Sequence, residues 1–245
     1  YVDNNFYLVN CSGLEALQTI GEDLYINENY SLQNLNGLDN LSSVGNNLTL
    51  TTNHFMSDIS ALSSLDSIGG SLKISLCNEL VNLNGLENLQ YIGNGLTIDK
   101  CFNLQSIESL IGINNIPGNL SFKNNISIPN LAGFDSIASI GGDLNISFND
   151  SLTDFNGLQN LQTVNGDVLI QYNFGITSLS GLDNLINLDS SDIVIFNNNR
   201  LLDISAISNI DANNIQILKI MNNKCLAECA IKSVCDYLAL PSANV

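Results

Sequence analysis

Apolar residues recur along this chain every 24 positions. Leu24, Leu48, Leu72, Leu96, Leu120, Leu144 and Val168 form one column, and Ile26, Leu50, Ile74, Ile98, Phe122, Ile146 and Ile170 a second. Leu35, Ile59, Leu83, Ile107, Leu131, Phe155 and Leu179 make a third; Leu41, Leu65, Leu89, Ile113, Ile137, Leu161 and Leu185 make a fourth. After Leu188 the spacing stretches to about 25, through Ile193, Ile195, Leu218 and Ile220. A fixed period of this size predicts a solenoid, in which each unit buries its apolar face only against its neighbours. The expected fold is mainly β: a right-handed parallel β-solenoid of about nine 24-residue coils with a C-terminal capping helix. Such a stack makes a rod of about 40–45 Å at roughly 4.8 Å per coil.

Within a coil, L-x-I-x-x-N alternates buried and exposed residues and reads as a short strand ending at a turn, as in Leu144 to Asn149. The closing asparagine recurs as Asn29, Asn53, Asn125, Asn149, Asn173, Asn198 and Asn223. A side-chain amide there can satisfy turn backbone groups and its equivalents on adjacent coils. The following L-x-x-L-x-G-L-x-N-L is too short and glycine-broken for a regular helix, so a second short strand and 3₁₀ turns are expected. A recurrent Ile-Gly or Val-Gly, as at Ile20-Gly21, Val44-Gly45 and Ile140-Gly141, marks a corner needing positive φ or close backbone approach. Pro117-Gly118 replaces that corner once, and a local bulge is expected between Leu110 and Pro129.

The repeat ends near Ala227. From there Ala230, Ile231, Val234, Tyr237 and Leu238 have helical spacing, ended by Pro241. Residues 1–226 read as the repeat solenoid with an N-terminal partial coil around Phe6, Leu8 and Cys11, and residues 227–245 as its helical cap, within one continuous domain.

Net charge is −17, from 7 basic and 24 acidic residues, which argues against nucleic acid and anionic membrane as partners. No apolar run is long enough to insert in a membrane as a helix, and the first residues lack the form of a signal peptide. His54 is the single histidine, so no histidine-based triad or zinc site suggests itself. The acids, Asp143 and Asp167 among them, read as a solvated rim. No calcium-loop spacing is present, and neither metal nor cofactor is expected. Exposed strand positions carry threonine on both sides in a single coil, Thr49 and Thr51, and Lys73, Asp99 and Lys123 interrupt any regular array.

The exposed ribbon of the sheet grows apolar toward the C-terminal half. Phe148 and Tyr172 occupy equivalent positions on adjacent coils, and Leu169, Val194 and Phe196 extend the patch, so these five are the candidate ligand-binding residues. Cross-strand packing that merely stabilises the sheet is the competing explanation. Cys77 and Cys101 occupy successive copies of the turn-asparagine position, which leaves two possibilities: a disulfide, or two buried thiols in the ladder.

The units GLxNLxxIGGxLxIxxN resemble the repeats of receptor L domains, and more closely the leucine-rich-repeat-like surface proteins of Bacteroidetes, many exported by the type IX secretion system. Arrays of that group commonly close with a motif like C-x(5)-C-x-Y-L-x-x-P, matched here by Cys229, Cys235, Tyr237, Leu238 and Pro241. The resemblance implies an extracellular, cell-surface setting. In the cap, Cys229 or Cys225 is expected to pair with Cys235, and Cys11 to stay unpaired or to bond outside the chain. The expected function is a non-catalytic recognition or adhesion module of a larger secreted or surface protein, binding a protein or glycan. The alternatives are a passive spacer or an accessory subunit of a surface enzyme or uptake complex.

Overall fold

Leu144, Asn145, Ile146 and Ser147 form one short strand, with Leu144 and Ile146 directed into the core. The same four positions make a strand in coil after coil. The computed structural model describes residues 1–241 and 243, so the last residues of the expected 227–245 cap lie outside the described residues. Ten such strands, from Val2–Asp3 to Ile215–Met221, pair in parallel and in chain order as one sheet. Register steps by 24 residues, as in Leu120↔Leu144 and Ile146↔Ile170. The partial first coil begins earlier than Phe6: Val2 pairs with Ile26.

A residue in left-handed conformation follows each strand of this sheet. Glu28, Thr52, Leu76, Lys100, Asn124, Phe148, Tyr172, Asn197 and Asn222 all have φ between 54° and 60°. This swings the chain off the sheet, and the asparagine that comes next is fully buried in most coils. Asn149 shows why. Its side-chain oxygen accepts the backbone N–H of Asn125 at 3.0 Å, and its amide nitrogen donates to the carbonyl of Phe122 at 3.0 Å. Asn53, Asn173 and Asn198 repeat the arrangement, so turn groups that would be stranded in an apolar core are paired.

On the opposite side of the coil, one position decides the turn. Gly37, Gly85, Gly133, Gly157 and Gly181 have φ from +106° to +117°, and a Cβ on any of them would run into a carbonyl of the preceding coil. Where the repeat places Ala61, Ser109 or Ala206 instead, that φ is denied. The chain there winds into a 3₁₀ turn, at Ser60–Leu62, Glu108–Leu110 and Ser205–Ile207.

The second strand of each coil lies at the Ile-Gly corner, as in Ser43–Val44 and Ser139–Ile140, rather than within L-x-x-L-x-G-L. These strands form two four-stranded sheets, not one of eight. Pro117 is the reason. Gly45, Gly69 and Gly93 donate their N–H to the carbonyl of the residue just before the equivalent glycine of the previous coil (Ile20, Val44 and Ile68), and proline at the next copy has no N–H to give Ile92. The glycines at this corner have ordinary φ; close approach alone selects them, since a Cβ on Gly69 would meet the Gly45 carbonyl. The bulge expected between Leu110 and Pro129 is absent, because Leu120–Lys123 pairs in full on both sides. The register shift falls instead between Ser191/Ile193 and Ile215/Leu218, where the coil lengthens.

The core is one continuous cluster from Cys11 to Tyr237. Most column residues are fully buried, each contributing about 1.5–3 kcal/mol, and Phe122 meets Phe134 edge-on at 5.9 Å between centroids. The helix at the C-terminal end spans only Lys232–Leu238. Ser233, Val234 and Tyr237 are its buried side chains, and the Tyr237 hydroxyl donates to the Gln216 carbonyl of the last strand at 3.1 Å. Ala230 and Cys229 precede the helix and Leu238 is exposed, so the apolar face is narrower than the spacing predicts.

Candidate functional site

Phe148 and Tyr172 occupy the left-handed position just after the strand, not the strand itself. There the side chains stand at the rim of the sheet face, with ring centroids 4.6 Å apart and planes 6° from parallel. Phe196 comes from the preceding register position, opposite Gln171, and turns its ring against Tyr172 at 5.3 Å and 82°. The three rings make a continuous ladder across adjacent coils. Each contact of this kind adds about 0.5–1.5 kcal/mol beyond area burial. Leu169 pairs with Val194 in the neighbouring row, and both are half-buried. The structure therefore brings all five predicted residues onto one face.

The same face extends one coil further. Phe196 is in register with Met221, which is 51 % exposed, and Val194 with Lys219. Met221 was legible as the next exposed alternate position once the 25-residue step is applied. The left-handed φ at Phe148 and Tyr172 is no mark of function, since Thr52 and Leu76 share it.

Aromatic ladders also stand at the N-terminal end, where the sequence reading did not place a site. Tyr1 stacks on Tyr25 at 4.8 Å, Phe6 on Tyr30 at 5.1 Å, and His54 lies 6.4 Å from Tyr30. Their signal in the sequence is the same 24-residue spacing. The Nδ1 of His54 lies 3.3 Å from the Asn78 amide nitrogen, so the single histidine serves this ladder.

About half of the acidic residues are bound into backbone turns. Asp39, Glu87, Asp135 and Asp183 each accept the N–H of the glycine two residues earlier, and Glu15 does so with both oxygens. Those bonds hold the Glu15 carboxyl below its ordinary range. Asp143 and Asp167 form a second ladder, in which Asp143 accepts the N–H of Asp167 and Asp167 that of Asp192, each at 2.9 Å. Among the described residues no group of three or more His, Cys, Asp or Glu is arranged to hold a metal ion.

All six cysteines are free thiols. Cys77 and Cys101 are fully buried and take the second of the two forms open to them, a thiol pair within the asparagine ladder. The adjacent Cys101 thiol, followed by burial, pushes the Cys77 thiol well above its ordinary range, and the same neighbour draws Cys101 down against the opposing effect of burial. Cys225, Cys229 and Cys235 are exposed, with Cys235 on the helix and the other two before it.

Residues 112–214 match the family model of the receptor L domain. The matched segment covers less than half of the chain and contains the Phe148–Tyr172–Phe196 ladder. No curated protein matches the chain. Among solved structures, an internalin (inlF) from Listeria monocytogenes is similar at 16 % identity, covering 85 % of this chain and 75 % of that one, with a TM-score of 0.31. Among the described residues no helix is long and apolar enough to cross a membrane.

Proposed function

We propose that this chain is a non-catalytic recognition module of a secreted or cell-surface protein, and that it binds a protein partner through the apolar C-terminal half of its sheet face. The observation that carries this reading is the Phe148–Tyr172–Phe196 ladder, with Leu169, Val194 and Met221 beside it. A rigid run of adjacent aromatics suits the anchor of an interface, because little side-chain freedom is left to lose on binding. The ladder also favours a protein over a glycan at this place. Tyr172 has Phe148 stacked on it at 4.6 Å and Phe196 against it at 5.3 Å, so at the centre of the ladder a partner meets ring edges and aliphatic groups rather than an open ring. The receptor-L-domain-like segment at 112–214 fits an extracellular setting. The likeness of Cys229, Cys235, Tyr237, Leu238 and Pro241 to the closing motif of exported Bacteroidetes surface proteins fits it too.

The test compares wild type with a Phe148→Ser, Tyr172→Ser, Phe196→Ser triple variant on an array of extracellular protein domains, after circular dichroism confirms that the variant keeps its β spectrum. Wild type is expected to retain at least one partner that the triple variant loses by tenfold or more, about 1.4 kcal/mol. Equal binding by the two proteins removes this face. Silence on the protein array, with binding on a glycan array that the triple variant loses, reassigns the partner class of this face.

A further inference from the structure

We infer that the groove at the N-terminal end of the main sheet, between Tyr25 and the Asn27–Thr51 row, binds the ring of a neutral saccharide stacked on the free face of Tyr25. The inference is independent of the C-terminal face and of its protein partner. Two rows of outward side chains meet here in register: Tyr1, Tyr25 and Thr49 in one, Asp3, Asn27 and Thr51 in the other. The rows stand about 6.6 Å apart, two residues along a strand. Between them lies a depression of about 300 Å³ lined by these six residues.

The geometry of the two tyrosines gives the groove its direction. Tyr1 lies on Tyr25 with centroids 4.8 Å apart and planes 15° from parallel. Because the rings sit on neighbouring coils, their common normal runs along the coil stack. The second face of Tyr25 is therefore turned toward the next coil, where the residue in register is Thr49. Threonine is too short to cover a phenol ring, so the aromatic row drops by a step at this point. At Phe148 and Tyr172 the opposite holds, since the next coil supplies another ring.

The polar wall has the chemistry of hydroxyl recognition. Thr49 and Thr51 each bring a hydroxyl that both donates and accepts, and Asn27 brings an amide. The Asn27 amide nitrogen donates to Asp3 Oδ1 at 3.0 Å, which fixes that side chain before any ligand arrives. Asp3 itself can accept from a further hydroxyl. A pyranose ring presents the complement: a patch of C–H groups for the aromatic face, and hydroxyls around its edge for the polar row. The row lacks the cationic pair a phosphate or carboxylate ligand would need; Lys73, one coil beyond Thr49, is the nearest cation in the row.

Saturation-transfer NMR on the full chain tests this with glucose, galactose, mannose, fucose and N-acetylglucosamine, each at about 5 mM to match the ~1 mM affinity of one small ring. At least one sugar is expected to receive transfer at its ring C–H protons. Tyr25→Ala removes the platform and is expected to reduce that transfer at least fivefold. Thr49→Tyr extends the tyrosine stack into the open step; it is expected to abolish transfer without lowering the melting temperature, which separates blocking from unfolding. The Phe148→Ser, Tyr172→Ser, Phe196→Ser variant is expected to bind the sugar as wild type does. No transfer to any of the five sugars, or transfer that survives either Tyr25→Ala or Thr49→Tyr, overturns the assignment.

Discussion

The backbone N–H of Asn149 donates to the side-chain oxygen of Asn173 at 3.0 Å, one coil away, while the Asn149 side chain serves the coil before it. Asn149 thus holds together three successive coils, as Asn125 and Asn173 do. Asn149→Ala leaves the buried Asn125 N–H without a partner, while the Phe122 carbonyl keeps its ladder bond within the sheet. At about 1–3 kcal/mol for one stranded group, a loss in that range is expected, read as a shift in the urea midpoint. No measurable loss would mean that water or a backbone shift satisfies the group.

Cys77 and Cys101 interrupt this ladder with sulfur, a weaker acceptor and donor than the amide. Both are fully buried, as Cys11 nearly is, whereas Cys225, Cys229 and Cys235 face solvent. Iodoacetamide added to the native, reduced protein is therefore expected to modify the last three quickly. The first three should react only when the chain is unfolded in urea, because reaction needs an accessible thiolate and burial denies the access. Peptide mapping by mass spectrometry reads the order. Modification of Cys77 or Cys101 at the rate of Cys225 would show that the coil stack opens there.

The repeat columns were legible because every coil buries the same positions, so a residue at one register predicts its copies. The faces of Leu169, Val194 and Phe196 followed from alternation in the same way. Phe148 and Tyr172 were harder. Their left-handed backbone belongs to the turn that ends the strand in every coil, whether Asn or Cys follows, and residues such as Glu28, Leu76 and Lys100 at that position give no local sign of it. Pro117 was visible as an interruption, but its effect, a missing N–H opposite Ile92, is a relationship between coils. The brevity of the C-terminal helix is likewise tertiary: Tyr237 is committed to the Gln216 carbonyl, and Leu238 finds no surface to cover.

Near that helix, Asp211 caps the turn Ala212–Asn214 by accepting the backbone N–H and the amide nitrogen of Asn213. Those bonds hold its carboxyl below the ordinary range of 3.8. A lowered folded-state value means that the carboxylate stabilises the fold above the ordinary range, and that this contribution disappears as pH falls through the folded value. The melting temperature of Asp211→Ala is expected to lie below wild type at pH 7 and to converge with it in strong acid. A gap that stays constant down to the acid limit would assign the effect to packing rather than to the charged cap.

Thr52 supplies the sharpest test of the backbone argument. It holds φ = 56°, the conformation shared by Asn124 and Asn197 at the same register. A β-branched side chain is crowded there, since its Cγ and Oγ atoms meet the adjoining peptide groups, whereas asparagine is among the few residues that enter this region readily. The Thr52 hydroxyl offers little in return, a 3.5 Å contact with the Thr51 hydroxyl on the half-buried surface. Thr52→Asn is therefore expected to raise stability by about 1 kcal/mol, and the reciprocal Asn197→Thr to lower it by a similar amount. Both are measured as melting temperatures of otherwise unchanged chains. Equal and opposite shifts locate the effect in the backbone. A Thr52→Asn variant no more stable than wild type would show that the coil stack tolerates this conformation without residue preference, and the strain argument for the whole column would fall with it.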